Sequence, residues 1–272
     1  TGFGAAVHIP ALKYIDDVEI VAVVSRREDR AKAVADRHGV PIASTDWRDV
    51  INDPRVHAVG VATPPYLHHQ MVIAAIEAGK HVLLEKPIAM ELWEADELIT
   101  LARRGRLKFT IGYSQRFNTK FAYAKKKITD GTLGKVVSVM VSRHLSRGLG
   151  AKIAKRVKLS PGVMEPTHEL DFVCWLLEPA KPVRVYSQGA YGYMQPINGS
   201  YDVMWSIVTM DNGMLVTIGG GWNLPPGYPN FCSTWVEITG TEGALILDDT
   251  HRDAWLNTVA DGRTRDDAVV TM

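Results

Sequence analysis

The chain has 272 residues, of which 46% are hydrophobic, and thirty-one Lys and Arg against thirty Asp and Glu give a net charge of +1. That length buries a large core and, beyond about 250 residues, favours two domains; the balanced charge supplies no bulk field to draw nucleic acid or an anionic membrane, which leaves a small molecule as the expected partner. No apolar run approaches a membrane span, no signal peptide is visible, and Cys174 and Cys232 lie far apart in apolar or aromatic surroundings, so buried thiols in a cytoplasmic protein are expected instead of a disulfide or a metal site.

The first stretch, "TGFGAAVHIPAL", is a glycine-rich turn, and Gly2, Phe3, Gly4 and Ala5 fit the end of a G-x-G-x-x-G/A phosphate turn if one Gly precedes Thr1. "VEIVAVV" (18–24) then reads as a buried strand and ends in Ser25-Arg26-Arg27, where a doubly wound sheet grips the adenosine ribose. An acid at that place accepts the ribose 2′-hydroxyl; Ser25 and Arg26 instead offer donors to a 2′-phosphate, which favours NADP over NAD. A helix is expected over Glu28–His38, stopped by Gly39, then a strand "HAVGVA" (57–62) ending in Thr63-Pro64-Pro65, and a helix over Leu67–Ala78, stopped by Gly79. The strand "HVLLE" (81–85) runs into Glu85-Lys86-Pro87, a helix covers Glu91–Arg104, and "KFTIGY" (108–113) is the last strand of this kind. Strands alternating with helices mean crossover units, so residues 1–112 read as a dinucleotide-binding α/β domain of the doubly wound, Rossmann type with a parallel sheet. The strand ends at Thr63-Pro64-Pro65 and Glu85-Lys86-Pro87 belong at its carboxyl edge, where ligands bind in such sheets.

From residue 113 the pattern changes. After a helix over roughly Lys120–Thr129 come the β-rich runs "KVVSVMVSRHL", "PVRVYSQGAY", "SYDVMWSIVTM", "GMLVTIGGGW", "TWVEITG" and "GALILDD", joined mostly by short turns. Residues 113–272 therefore read as an α+β domain with a large, mostly antiparallel open sheet that serves substrate binding and oligomerisation. One helix packs on it, carrying Leu170, Val173, Cys174 and Leu177 at helical spacing. In "SYDVMWSIVTM", Met204, Ser206 and Val208 point one way and Val203, Trp205, Ile207 and Thr209 the other; with Trp222 and Trp235 on other strands, the second set predicts an apolar face that a homodimer or homotetramer buries. Arg116 in "GYSQRF" either clamps substrate or pairs with an acid across the domain boundary. The acid-free run from Arg143 to Lys158 reads as a solvated loop, or as a lid over an acidic or phosphorylated substrate. "GTLGKV" has the wrong spacing for a P-loop, and the adjacent His68 and His69 face different ways on a helix and make a poor metal pair.

Taken together, "TGFGA", "TPPYLHH", "AGKHVLLEKP", "GYSQRF" and "VEITGTEGALILD" resemble the glucose-fructose oxidoreductase / inositol dehydrogenase (Gfo/Idh/MocA) family of NAD(P)-dependent enzymes, in the expected order through nearly the whole chain. The resemblance implies a strand and a first glycine ahead of Thr1. It implies hydride transfer between NADP, or NAD, and a sugar, polyol or related cyclic alcohol. The lysine that matches Lys86 lies between cofactor and substrate in that family, where a cationic nitrogen can bond the reacting oxygen. His168 matches the histidine of the family segment D-x-x-x-H-x-x-D, suited to acid/base work near its ordinary pKa; Asp171 fills the last place, but Glu165 stands three residues upstream of His168 instead of four. The cofactor residues expected are thus Gly2, Phe3, Gly4, Ala5, Ser25, Arg26, Thr63, Pro64, Pro65, His68, Glu85 and Lys86; the substrate residues are Tyr113, Arg116, Glu165, His168 and Asp171, with Lys86 and His168 catalytic and no metal. A glycosidase that uses transient oxidation and a non-catalytic dinucleotide-binding regulator are the alternatives, the first separable by sugar release without net NADPH turnover and the second by the absence of any turnover.

Overall fold

The computed structural model describes residues 2–155, 159–226, 228, 232–248, 253–258 and 262–265. The chain divides into two units, Thr1–Gly112 and Tyr113–Met272.

The first unit holds strands β1 (Ala22–Val24), β2 (Ile42–Ser44), β3 (Ala58–Val61), β4 (His81–Leu84) and β5 (Phe109–Ile111). Every pairing is parallel, β1 with β2 in one sheet and β4 with both β3 and β5 in another. Such pairing needs crossovers, and the helices Glu28–His38, His68–Glu77 and Leu92–Arg104 supply them. The local sequence sets their ends. Gly39 closes the first helix in the left-handed region at φ 62°, and Glu91 with Glu94 forms a capping box at the start of the third. Val61, Val72, Ala75, Val82, Leu84 and Leu98 make the buried core. The strand β2 and the short helix Trp47–Ile51 are additions to the sequence reading, since three and five residues carry too little periodicity to register.

The second unit is built on one sheet: β6 (Val136–Ser146), β7 (Pro182–Ala190), β8 (Val203–Met210), β9 (Leu215–Leu224), β10 (Cys232–Gly240), β11 (Gly243–Asp248), β12 (Asp253–Thr258) and β13 (Gly262–Arg265). Its order is β13-β12-β11-β10-β6-β9-β8-β7, antiparallel throughout except where β6 lies parallel to β9. The helices Thr119–Thr129 and Thr167–Leu176 contribute Phe121, Phe172 and Leu176 to a core shared with Val139, Val216 and Ile238 of the sheet.

Two expectations are corrected here. Trp222 is fully buried and does not extend the exposed face of β8. The register explains it: Trp205 stands opposite Gly219, and Trp222, three residues further along β9, points to the other side of the pleat. Trp235, which shares Ser142 of β6 as its neighbour, is partly exposed. The basic run is not a loop. Arg143 belongs to β6, and Arg147–Ala154 form a helix that Ser146 caps through Gly148 N–H and whose Gly150 sits against the Trp222 ring, with a Cβ there falling 2.5 Å from it. The guanidinium of Arg147 lies 4.9 Å from the centre of the Tyr193 ring, while Arg156 and Lys158 lie outside the described residues. The run Gly219-Gly220-Gly221 of β9 is equally tight: a Cβ would meet the Trp205 ring at the first, Pro166 and the Arg143 carbonyl at the second, and the backbone of Asp202 at the third.

Candidate functional site

In the first unit the glycine turn, the end of β3 and the end of β4 come together. Gly2 takes φ 61°, and the chain turns at once into a helical stretch, Gly4–His8 followed by Ile9–Leu12. The first N–H groups of a helix have no intrahelical partner, so this turn presents donors of the kind that hold phosphate. A Cβ on Gly4 would lie 3.6 Å from that of Ala62, which fixes the turn beside the carboxyl end of β3. His8, on the same helical stretch, holds Glu85 at the end of β4 with Nε2 2.7 Å from Oε1. Glu85 also lies under Gly112, where a Cβ would stand 3.1 Å from Oε1. Phe3 is exposed and Ala5 half-buried.

Lys86 follows Glu85 in the turn after β4 and is half-buried, as is Thr63 after β3. His68 joins these two turns. Its Nδ1 is 2.9 Å from the Pro87 carbonyl and its Nε2 3.0 Å from the Thr63 carbonyl, with the ring fully buried. Burial pushes its pKa down, opposed by the two carbonyls and by Glu85, and a neutral ring donates to only one of the two oxygens. As a neutral ring His68 thus bonds one of the two turns and packs against the other, fully buried. Pro64 and Pro65 lead from the first turn into the His68–Glu77 helix. At the end of β1, Ser25 is half-buried with its N–H on the Ser44 carbonyl, Arg26 is exposed, and Arg27 is committed to Asp29. The donors and glycines needed for a dinucleotide thus stand at the carboxyl ends of parallel strands, and the residues present fit that group.

In the second unit His168 lies at the second position of the Thr167–Leu176 helix, half-buried. Three side chains from 113–116 hold the first turns of this helix. Tyr113 Oη is 3.0 Å from Thr167 Oγ1, Gln115 Nε2 donates to Glu169 Oε1 at 2.8 Å, and Arg116 donates through Nε and Nη2 to Asp171 at 2.8 and 2.6 Å. The Tyr113 ring also meets His168 edge-on, with centroids 6.0 Å apart. Burial raises the Tyr113 pKa, and the hydrogen bond to Asp171 raises that of Arg116. Arg116 and Asp171 therefore pair with each other, and the acid anticipated for Arg116 lies within the same unit. Glu165 closes the short Pro161–Met164 helix just before it. Its carboxylate is buried, accepts from Trp222 Nε1 at 2.9 Å and faces Arg143 Nη1 at 3.4 Å, so it ties the segment before His168 to β6 and β9.

Gln115, Glu169, Arg143 and Trp222 were missed as supports of this turn. Their only trace in the sequence is that 113, 115 and 116 match 167, 169 and 171 in polarity, a pattern 54 to 55 residues apart that no local rule reads.

Residues 1–113 match a family described as "Oxidoreductase family, NAD-binding Rossmann fold", and residues 121–246 match the "GFO/IDH/MocA C-terminal domain". An uncharacterized oxidoreductase of Synechocystis sp. is 30% identical over 262 residues, covering 91% of this chain and 69% of that protein. The myo-inositol 2-dehydrogenase of Thermotoga maritima is 28% identical over 246 residues, 89% of this chain and 71% of its own length. An oxidoreductase from Agrobacterium radiobacter, solved with NAD+, L-tartaric acid and magnesium, superposes with a TM-score of 0.87 at 20% identity over 98% of this chain and 77% of that one, which is a likeness of fold.

Proposed function

This chain belongs to the Gfo/Idh/MocA family of oxidoreductases, and from that premise we propose that it moves hydride between a nicotinamide dinucleotide and a secondary hydroxyl of a sugar, polyol or related cyclic alcohol. It is an enzyme of an NAD-dependent dehydrogenase family. The observation that carries the reading is the position of Glu85-Lys86-Pro87 at the end of a parallel strand, tied through His8 to the helix that the glycine turn opens.

Gly2, Phe3, Gly4, Ala5, Ser25, Arg26, Thr63, Pro64, Pro65 and Glu85 are the residues we assign to holding the dinucleotide, whose nicotinamide takes up or supplies the hydride when bound. Lys86 bonds the oxygen on which negative charge develops as the hydroxyl proton leaves, and His168 takes that proton. Tyr113 keeps the His168 ring in place. In the reverse direction His168 returns the proton to the new alcohol oxygen. A panel of polyols, sugar acids and cyclic diols, read by nicotinamide absorbance, tests the reaction; no turnover with any of them under either cofactor would count against it.

The preference for NADP over NAD is our reading of Ser25 and Arg26, with Arg26 exposed at the end of β1 and no acid at either position. A charge-assisted contact of about 1.5–3 kcal/mol gives roughly ten- to hundredfold tighter NADPH binding. Calorimetry with both cofactors measures it, and equal or tighter NADH binding would contradict the assignment.

We further propose that the second unit pairs with a second copy through the outer face of its sheet. Trp205 is 40% and Ile207 45% exposed there, beside Met140 of β6 and Tyr186 of β7 in neighbouring register. Burying such a face is the usual way a soluble chain removes an apolar patch from water. Light scattering should give a dimer or tetramer mass, and Trp205→Asp should lower it while dinucleotide affinity holds. A monomer mass for the unaltered chain at micromolar concentration would rule the contact out. No helix among the described residues is long and apolar enough to cross a membrane.

A further inference from the structure

The bonds between 113–116 and the His168 helix include one that is incomplete. Gln115 Nε2 donates to Glu169 Oε1 at 2.8 Å, and the other two atoms of the same pair, Gln115 Oε1 and Glu169 Oε2, are both buried without a hydrogen bond. Two acceptors cannot satisfy each other, and each orphaned polar atom in such surroundings has given up its water without a replacement. One proton removes both deficits: on Oε2 it makes the donor that Gln115 Oε1 lacks and turns the contact into a two-bond carboxyl–carboxamide ring.

We propose that Glu169 is held as the neutral acid in a two-bond pair with Gln115, and that this pair is a positioning element that sets the helix turn carrying His168. Glu169 has no exposed surface, and burial pushes its pKa up to about 7, above the opposing pull of Arg143 and of the Gln115 bond. Arg143 of β6 faces Glu165, Arg116 is committed to Asp171, and Lys125 of the Thr119–Thr129 helix bonds the carbonyls of Trp175 and Leu176 at the far end of the His168 helix. Lys120 of the same helix is buried, and His144 of β6 bonds Asn223. Of these, Arg143 favours the ionised carboxyl and Glu165 the neutral one. Ionising Glu169 removes the donor from the ring and leaves a buried charge one residue from His168. The sequence neighbour of the proton acceptor thereby holds its turn only while it keeps its own proton.

The positioning half rests on the proposed role of His168, whereas the proton on Glu169 does not. The test uses the whole chain without ligand. Difference infrared spectra between pH about 6 and pH about 8 should contain a protonated-carboxyl band that titrates away, in a range where ordinary Asp and Glu are already ionised; the band should be missing from Glu169→Gln. With substrate and cofactor, Glu169→Ala should lose about tenfold in kcat with KM changed less than about twofold, and Glu169→Gln should recover most of that loss. A wild-type spectrum without the band, a band that survives in Glu169→Gln, or a glutamine variant as impaired as the alanine variant would each overturn the proposal. A chain inactive on every alcohol tried overturns the redox reading alone, and the infrared band still decides the state of Glu169.

Discussion

Lys86→Ala and His168→Ala will each lower turnover by about 10²–10⁴, the range for removing a positioned acid, base or charge from a transition state. The effects should differ in kind. Without His168 nothing in the second unit is assigned to the hydroxyl proton, so kcat should fall while the first unit still binds dinucleotide. Without Lys86 the developing oxyanion loses its counter-charge, and Lys86→Arg should rescue little, because a planar guanidinium does not replace a compact ammonium at one oxygen. Steady-state kinetics on the substrate found by the panel, with circular dichroism to check folding, measures both. Near-normal turnover in either alanine variant would remove that residue from the mechanism.

Glu165→Ala should be the most damaging substitution for stability among the polar residues near His168, by about 3–5 kcal/mol. The wild-type carboxylate is buried against two donors, and truncation leaves the Trp222 N–H and the Arg143 guanidinium facing a dry gap. The double change Glu165→Leu with Arg143→Met should recover much of the loss, since replacing a buried pair by apolar groups is often neutral. Denaturant unfolding followed by circular dichroism distinguishes the two, and an unchanged midpoint in Glu165→Ala would show that the carboxylate carries no structural load.

The parts legible in the sequence were those with a local signal. The Glu28–His38 helix has its glycine stop within one turn, and the alternation in β8 already separates Ser206 and Val208 from Trp205 and Ile207. Trp222 went wrong because its face depends on how β9 registers against β8, a relation between strands that neither strand encodes alone. The Arg147–Ala154 helix was hidden by its charges, and its packing of Gly150 against a tryptophan 72 residues later is a long-range contact that no local pattern carries. At the candidate site the strand-end turns were readable, being motifs of adjacent residues. The exchange of Arg116 with Asp171, Gln115 with Glu169 and Glu165 with Trp222 was not, because an acid reads alike whether it meets substrate or a buried partner.

The Gly219-Gly220-Gly221 run bears on how this chain would look to a saturation library scored for function. Each position is closed by a different neighbour, a tryptophan ring, a proline and a backbone, so every larger residue should fail at all three. Three adjacent intolerant glycines would look like a nucleotide-gripping loop to anyone holding only the scores, yet they lie in mid-strand, in the unit to which none of the proposed dinucleotide residues is assigned. Their intolerance would report the thickness of a sheet, and a drift experiment should find Gly219 freed only together with a smaller residue at Trp205, while Gly221, closed by the backbone of Asp202, stays fixed.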